Sequence, residues 1–242
     1  MLGSVSEVVD DIAILARLRV AEMQCHTLCD YFNLVQRFSR EMKRASLDAQ
    51  QKGRELISFL ETASKLPIES ALEIGTAAGG TFYLLCRAAR STASLLTIDL
   101  NNDWRRRVLL HLTCPKPSQK VHIIRGNSRD ERTLARVKHA LRSRELDILF
   151  IDGDHSFEGV RKDFELYSGL VRQGGIIAFH DIVTDYRTRY GIATVSSPCS
   201  GEVPRFWSLV KSKWRGREFV ESRDQDGYGI GAIIWDSDSA KQ

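Results

Sequence analysis

The chain has 242 residues, the length of one domain or two small ones, and 43% of them are hydrophobic, which excludes a disordered chain. Lys and Arg total 35 against 31 Asp and Glu, a net charge of +4, too slight for the concentrated basic surface of a dedicated nucleic-acid binder. No apolar run approaches the roughly 18 residues of a membrane span, Met1 to Asp11 has no basic secretory start, and five irregularly spaced cysteines (Cys25, Cys29, Cys86, Cys114 and Cys199) read as reduced thiols of a cytoplasmic protein.

Residues 1–66 carry apolar residues at helical spacing, first Val8, Ile12, Leu15 and Leu18, then Tyr31, Leu34, Val35 and Phe38. Cys25 and Cys29 lie four apart, as on one helix face, and Lys43 to Ser58 reads as a helix with one exposed side. Pro67 closes this region, which we expect to cap the mouth of a following domain or to make a homodimer or larger homo-oligomer contact. From residue 67 to 242 the rhythm changes. Short apolar runs (Ala71–Gly75, Leu95–Leu100, Val121–Ile124, Ile148–Asp152, Gly175–His180) alternate with helical stretches at Thr81–Ala89, Trp104–Leu112, Arg132–Arg144 and Ser156–Val171. Runs apolar on both sides suit strands buried on both faces of a parallel sheet. Glu218–Glu221 and Tyr228–Trp235 add an antiparallel pair at one edge. The expected fold is α/β: a doubly wound, mostly parallel, seven-stranded Rossmann-like sheet with an antiparallel C-terminal hairpin and a helical N-terminal extension.

Ligands of such sheets bind beyond the carboxyl ends of the strands, so the residues closing each run carry the chemistry. The first run closes in a turn containing Glu73, Gly75, Thr76, Gly79 and Gly80. Glycines there allow close backbone approach, and the next helix offers free N–H groups to an anion. The spacing is not the G-x-G-x-x-G of dinucleotide binders. Asp99 closes the second run, 24 residues after Gly75, where an acid can accept from ribose hydroxyls. Asn127 and Ser128 follow the third and can meet an adenine edge. Ribose, adenine and a carboxylate without a pyrophosphate cradle fit S-adenosylmethionine better than NAD. The fourth and fifth runs close in Asp152-Gly-Asp154-His155 and His180-Asp181. Two converging carboxylates repel unless a cation or proton holds them, so a divalent metal on Asp152 and Asp181 is expected, with His180 either joining them as a ligand or hydrogen-bonding Asp181. An imidazole in the set moves the choice from magnesium toward manganese, iron or zinc. Asp154 reads as a turn residue, and His155, with an ordinary pKa of about 6.5, can take a proton.

The runs LEIGTAAGGTF, IDL, RGNS, FIDGDHSFEGVRKDFELYSGLVRQGGIIAFHDI and GEVPRFW resemble class I S-adenosylmethionine-dependent methyltransferases over about residues 67–235. Within that class they resemble the metal-dependent O-methyltransferase branch of catechol, macrolide-sugar and cephalosporin-cluster type. The resemblance implies methyl transfer to a hydroxyl, with the metal held by Asp152, His180 and Asp181 and with His155 as base. Relatives commonly have Asp-Asn or Glu-Asp where this chain has His180-Asp181.

The expected reaction is attack by a hydroxyl of a small-molecule acceptor (a sugar, natural product or phenolic diol) on the methyl carbon of the sulfonium. Asp185 to Ser200, with Tyr186 and Tyr190, is placed to act as a lid, and Glu202-Val-Pro204 to open a helix. The alternatives are an RNA or protein methyltransferase, using Arg105 to Arg107 and Arg205 to Arg217 with Trp207 and Trp214, and an NAD-dependent oxidoreductase. Charge runs are more often solvated helix faces, which argues against nucleic acid as partner.

Overall fold

A computed structural model describes residues 5–41, 47–102, 104–192 and 199–236. Three helices come first: α1 (Val5–Glu22), α2 (Leu28–Glu41) and α3 (Gly53–Ala63). Then β1 (Ser70–Ile74), α4 (Gly80–Ala88), β2 (Ser94–Asp99), α5 (Trp104–Thr113), β3 (Lys120–Arg125), α6 (Glu131–Leu141), β4 (Leu146–Ile151), α7 (Phe157–Tyr167) and β5 (Val171–His180) alternate. A short α8 (Tyr186–Tyr190), α9 (Val203–Lys213), β6 (Gly216–Phe219) and β7 (Ile230–Ile234) finish the described chain. The seven strands form one sheet in the order β3-β2-β1-β4-β5-β7-β6. The first five are parallel and β7 runs antiparallel to both β5 and β6, as the sequence pattern predicts.

Successive strand residues point to opposite faces, and here both faces are apolar. Ala71, Leu95, Ile148 and Ile176 belong to one core, while their neighbours Leu72, Leu96, Leu149 and Ile177 belong to the other. The first core is closed by α4 and α5 together with the extension, through Leu18, Leu34, Val35, Phe38, Phe59 and Leu60. The second is closed by α6, α7 and α9, where Phe164 lies edge-on to Phe206, Trp214 and Trp235.

Helix ends follow local chemistry. Thr27 and Asp30 cap α2 reciprocally, with the Asp30 N–H donating to Thr27 Oγ1 and the Thr27 N–H to Asp30 Oδ2. Ser156 caps α7 by accepting from the Gly159 N–H, and Pro204 sits in the first turn of α9. Two expectations are corrected. Lys43 to Ser58 is not one helix: residues 47–52 run as an irregular strap, and α3 starts only at Gly53. LDAQQK has adequate helix propensity, but hydrogen bonds to Gln36 of α2, Gly80 and Thr81 of α4 and Asp152 override it. Cys25 and His26 likewise lie in the α1–α2 connection rather than on a helix face.

Polar ties fasten the extension. Glu22 of α1 accepts from Tyr83 Oη at 2.6 Å and pairs with Arg87 at 2.7 Å, both on α4. Buried Glu55 of α3 accepts from the backbone N–H groups of Glu221 and Gly229 and from Gln225 Nε2. No helix among the described residues is long and apolar enough to cross a membrane.

Candidate active site

The carboxyl ends of β1, β2, β4 and β5 open into a cleft of about 980 Å³. Gly75, with φ of 97°, turns the chain out of β1. A Cβ there would strike the carbonyl oxygen of Asp152, so only glycine lets the two strand ends lie this close. Gly79 and Gly80 answer to packing: a Cβ would meet Leu110 at the first and the strap backbone of residues 47–49 at the second. Asp99 lines the cleft and accepts from the N–H groups of Ala77 at 2.9 Å and Asn101 at 2.7 Å. Asn127 and Ser128 line its far end, beyond β3.

Glu73 and Thr76 stand behind the turn and are absent from the cleft wall. Glu73 accepts from Thr97 Oγ1 at 2.7 Å, the two threonine hydroxyls meet at 2.6 Å, and Asn102 Nδ2 donates to Thr76 at 3.0 Å. Burial drives the Glu73 carboxyl well above its ordinary pKa, against the Thr97 hydrogen bond. These groups brace the turn from beneath.

At the cleft floor the structure gathers Asp152, His155 and Asp181, each offering one ligand atom, all within 4.8 Å of one another. Asp181 follows β5 at φ 61°, and its buried Oδ1 has no hydrogen-bond partner. His180 lines the same cleft. Its buried Nδ1 lies 3.1 Å from Asp152 Oδ1 and 3.3 Å from Asp181 Oδ2, within reach of both acids. Burial opposes a charge on His180, but the two carboxylates outweigh it and lift its pKa to about 10. Burial alone would raise Asp152; His180 and His155 instead hold it below the ordinary carboxylate range. His155 is raised to about 9, chiefly by its hydrogen bond to Asp152, against burial, with help from Asp181. Both imidazoles thus stabilise the Asp152 carboxylate, whereas the sequence pattern suggests a cluster that stays negative without a cation.

The His155 ring is oriented from behind. Its Nδ1 lies 2.6 Å from the Cys199 carbonyl oxygen, which can only accept, so Nδ1 carries a hydrogen and Nε2 faces the acids. The Glu202 N–H donates to the His155 carbonyl at 2.8 Å. Asp154 is the turn residue its position implies, accepting from the Ser156 N–H and pairing with Arg129.

Several site residues carry no motif signal. The strap places Asp48, Ala49 and Gln50 on the wall, Gln36 joins them from α2, and Tyr228 comes from the β6–β7 connection. Tyr186 and Tyr190 form α8 with touching rings, while the centre of the expected lid, residues 193–198, lies outside the described residues. Trp207 is buried with Nε1 on Glu218, and Trp214 stacks on Trp235, so neither ring is presented to a nucleobase.

The sheet order and the cleft at its carboxyl edge define a Rossmann-like methyltransferase fold. Residues 72–182, from within β1 to just past β5, match the family model described as a methyltransferase domain. Solved structures agree on the fold. The SAH-bound Podospora anserina methyltransferase PaMTH1 is 16% identical, with a TM-score of 0.59 and 98% of each chain covered. The Bacillus cereus O-methyltransferase in complex with SAH is 17% identical, with a TM-score of 0.58 and coverage of 85% of this chain and 90% of that one. TomG from Streptomyces achromogenes, an O-methyltransferase involved in tomaymycin synthesis and solved with SAM, is 15% identical at the same TM-score and coverage. A curated relative, the uncharacterized protein R132 of Acanthamoeba polyphaga mimivirus, is 55% identical over 42 residues, which span 17% of this chain and 19% of that protein.

Proposed function

We propose that this protein is an S-adenosylmethionine-dependent O-methyltransferase acting on a hydroxyl of a small-molecule acceptor, with a divalent cation held by Asp152 and Asp181. The carrying observation is the convergence of Asp152, His155 and Asp181 within 4.8 Å on the floor of the cleft that begins at the Gly75 turn. The orphaned Asp181 Oδ1 and the hard oxygen donors fit a divalent ion. When bound, such a cation would acidify an acceptor hydroxyl and offset the two carboxylates.

The chain's own residues do the rest. Gly75 and Ala77 bring backbone to the donor, Asp99 accepts from its ribose, and Asn127 and Ser128 meet its adenine. The methyl is already activated by the sulfonium, so the protein's work is alignment and water exclusion. The acceptor oxygen attacks the methyl carbon, the C–S bond breaks as the C–O bond forms, and S-adenosylhomocysteine leaves. His155, once it has given up the proton that the acids hold on it to about pH 9, takes the hydroxyl proton through Nε2. A vicinal diol, on a sugar, natural product or phenol, suits the two carboxylate-flanked positions. Residues 1–66 serve as a cap, supported by Gln36, Asp48 and Gln50 on the wall, and the expected compartment is the cytoplasm.

Asp152→Ala is expected to lower methyl transfer by about a thousandfold or more, within the range of metal and general-base contributions, while S-adenosylhomocysteine still binds. Turnover is read as S-adenosylhomocysteine release over a panel of catechols and glycosides, with and without chelator. A wild-type rate indifferent to chelator would remove the cation from the reading. A second reading, His155 as third ligand, is favoured by its place within the same 4.8 Å. His155→Gln separates the two: a ligand loses cation affinity, a base loses rate at unchanged affinity.

A further inference from the structure

We propose that Gln51 is a positioning residue for Asp152, delivered to the site by the N-terminal extension. The inference rests on the reading of Asp152 as a cation ligand. Gln51 is 7% exposed and belongs to the strap, far from Asp152 in sequence. Its Nε2 donates to Asp152 Oδ2 at 2.6 Å, and its Oε1 accepts from Thr81 Oγ1 in the first turn of α4.

The chemistry leaves one orientation. An ionised carboxylate only accepts, so the amide nitrogen must face Asp152, and a flipped amide would set two acceptors against each other. The Thr81 hydroxyl then donates to the remaining oxygen, which locks the amide from its other end. With Oδ2 tied to Gln51, the carboxylate cannot turn freely about its Cβ–Cγ bond. Oδ1 is thereby left facing the cluster, 3.1 Å from His180 Nδ1 and 3.6 Å from His155 Nε2.

The strap is itself fixed, so Gln51 does not have to be ordered when a ligand arrives. The Gly80 N–H donates to the Asp48 carbonyl at 3.2 Å, and Gln36 Nε2 donates to the Ala49 carbonyl at 2.9 Å. The absence of a Cβ at Gly80 is what lets this backbone lie against the start of α4. Partners that orient a ligand from outside the coordination sphere typically change metal affinity by about 10- to 100-fold when removed. Gln51 occupies that place here, and the wall that meets the acceptor and the amide that holds the acid are neighbouring residues of one segment.

The test is Mn²⁺ titration by calorimetry on wild type, Gln51→Leu and Thr81→Val, with S-adenosylhomocysteine affinity measured alongside and crystal structures of wild type and Gln51→Leu. Expected are an approximately tenfold or greater loss of Mn²⁺ affinity in Gln51→Leu and a smaller loss in Thr81→Val, which frees the amide without removing it. S-adenosylhomocysteine affinity should stay within about twofold, and the Asp152 carboxylate should rotate in Gln51→Leu. Unchanged Mn²⁺ affinity in both variants, or an unmoved carboxylate, overturns the proposal. Should Gln51→Leu fail to fold, Thr81→Val decides by its affinity alone. Wild type that binds no Mn²⁺ removes the cation reading of the site, and the carboxylate angle in Gln51→Leu then still decides the role of Gln51.

Discussion

The two faces of the sheet are closed by different chemistry. On the face covered by α6, α7 and α9, closure is aromatic: Phe164, Phe179, Phe206, Trp207, Trp214 and Trp235 interlock at ring separations of 5.6–5.9 Å. On the face covered by the extension, apolar packing is supplemented by buried polar ties, Glu22 to Tyr83 and Arg87, Glu55 to the β6–β7 connection, and Gln51 to Asp152. Apolar contacts are non-directional and tolerate small shifts, whereas a buried hydrogen bond fixes register and penalises error. Both faces bury a large apolar core, and the ties on the extension's face add fixed register next to the site.

That contrast can be broken from either side. The largest effect is expected from Trp207→Ala, which empties the centre of the aromatic face and should cost about 3–5 kcal/mol in denaturant unfolding, with donor affinity of the folded protein retained. On the tied face, Arg87→Met leaves half-buried Glu22 with Tyr83 and the exposed Arg19 but without its more sheltered cation. Losing this partner is expected to cost about 1–3 kcal/mol, and amide exchange should show the loss concentrated in α1 and α2. Glu22→Gln in the same chain should restore part of it. If Arg87→Met instead destabilised the whole chain uniformly, the two faces would not be separable.

The smallest effect concerns protons. A cation binding among Asp152, His155 and Asp181 must contend with the proton that the acids hold on His155 up to about pH 9. Mn²⁺ affinity should rise with pH by at most about tenfold per unit, roughly 1.4 kcal/mol, and level off above pH 9. Stability of the cation-free protein should run the other way. His180 is raised in the folded state to about 10, so its contribution is full below the unfolded value of about 6.5 and is lost as pH rises through 10. Melting curves from pH 7 to 11, with His180→Asn as control, check the sign. A melting temperature that climbs over that interval would contradict it.

Much of this was legible in the sequence for a physical reason. A strand buried on both faces must be an apolar run, and its carboxyl end must carry the chemistry, so β1 to β5, the edge hairpin, Asp99, Asp152, His155 and Asp181 announce themselves. What stays silent is anything fixed by tertiary contact alone. The strap reads as helix because LDAQQK contains nothing that forbids one. Gln51 is one polar residue among several until Thr81 and Asp152 hold its two ends. That His180 Nδ1 reaches Asp152 and Asp181 at once, and that Glu73 lies under the turn on Thr97, are likewise settled by tertiary geometry that composition does not carry.

Glu55 carries a consequence for how the molecule is made. Its carboxylate is completed only by Glu221, Gln225 and Gly229, which leave the ribosome long after it does. During synthesis α3 emerges early, yet its buried acid finds no donors until the last strands arrive, and such long-range closure is slow. This early helix is therefore among the last to be fully seated. Since the strap that meets Asp152 leads directly into the same helix, the segment that carries Gln51 gains its last support only when the β6–β7 connection arrives.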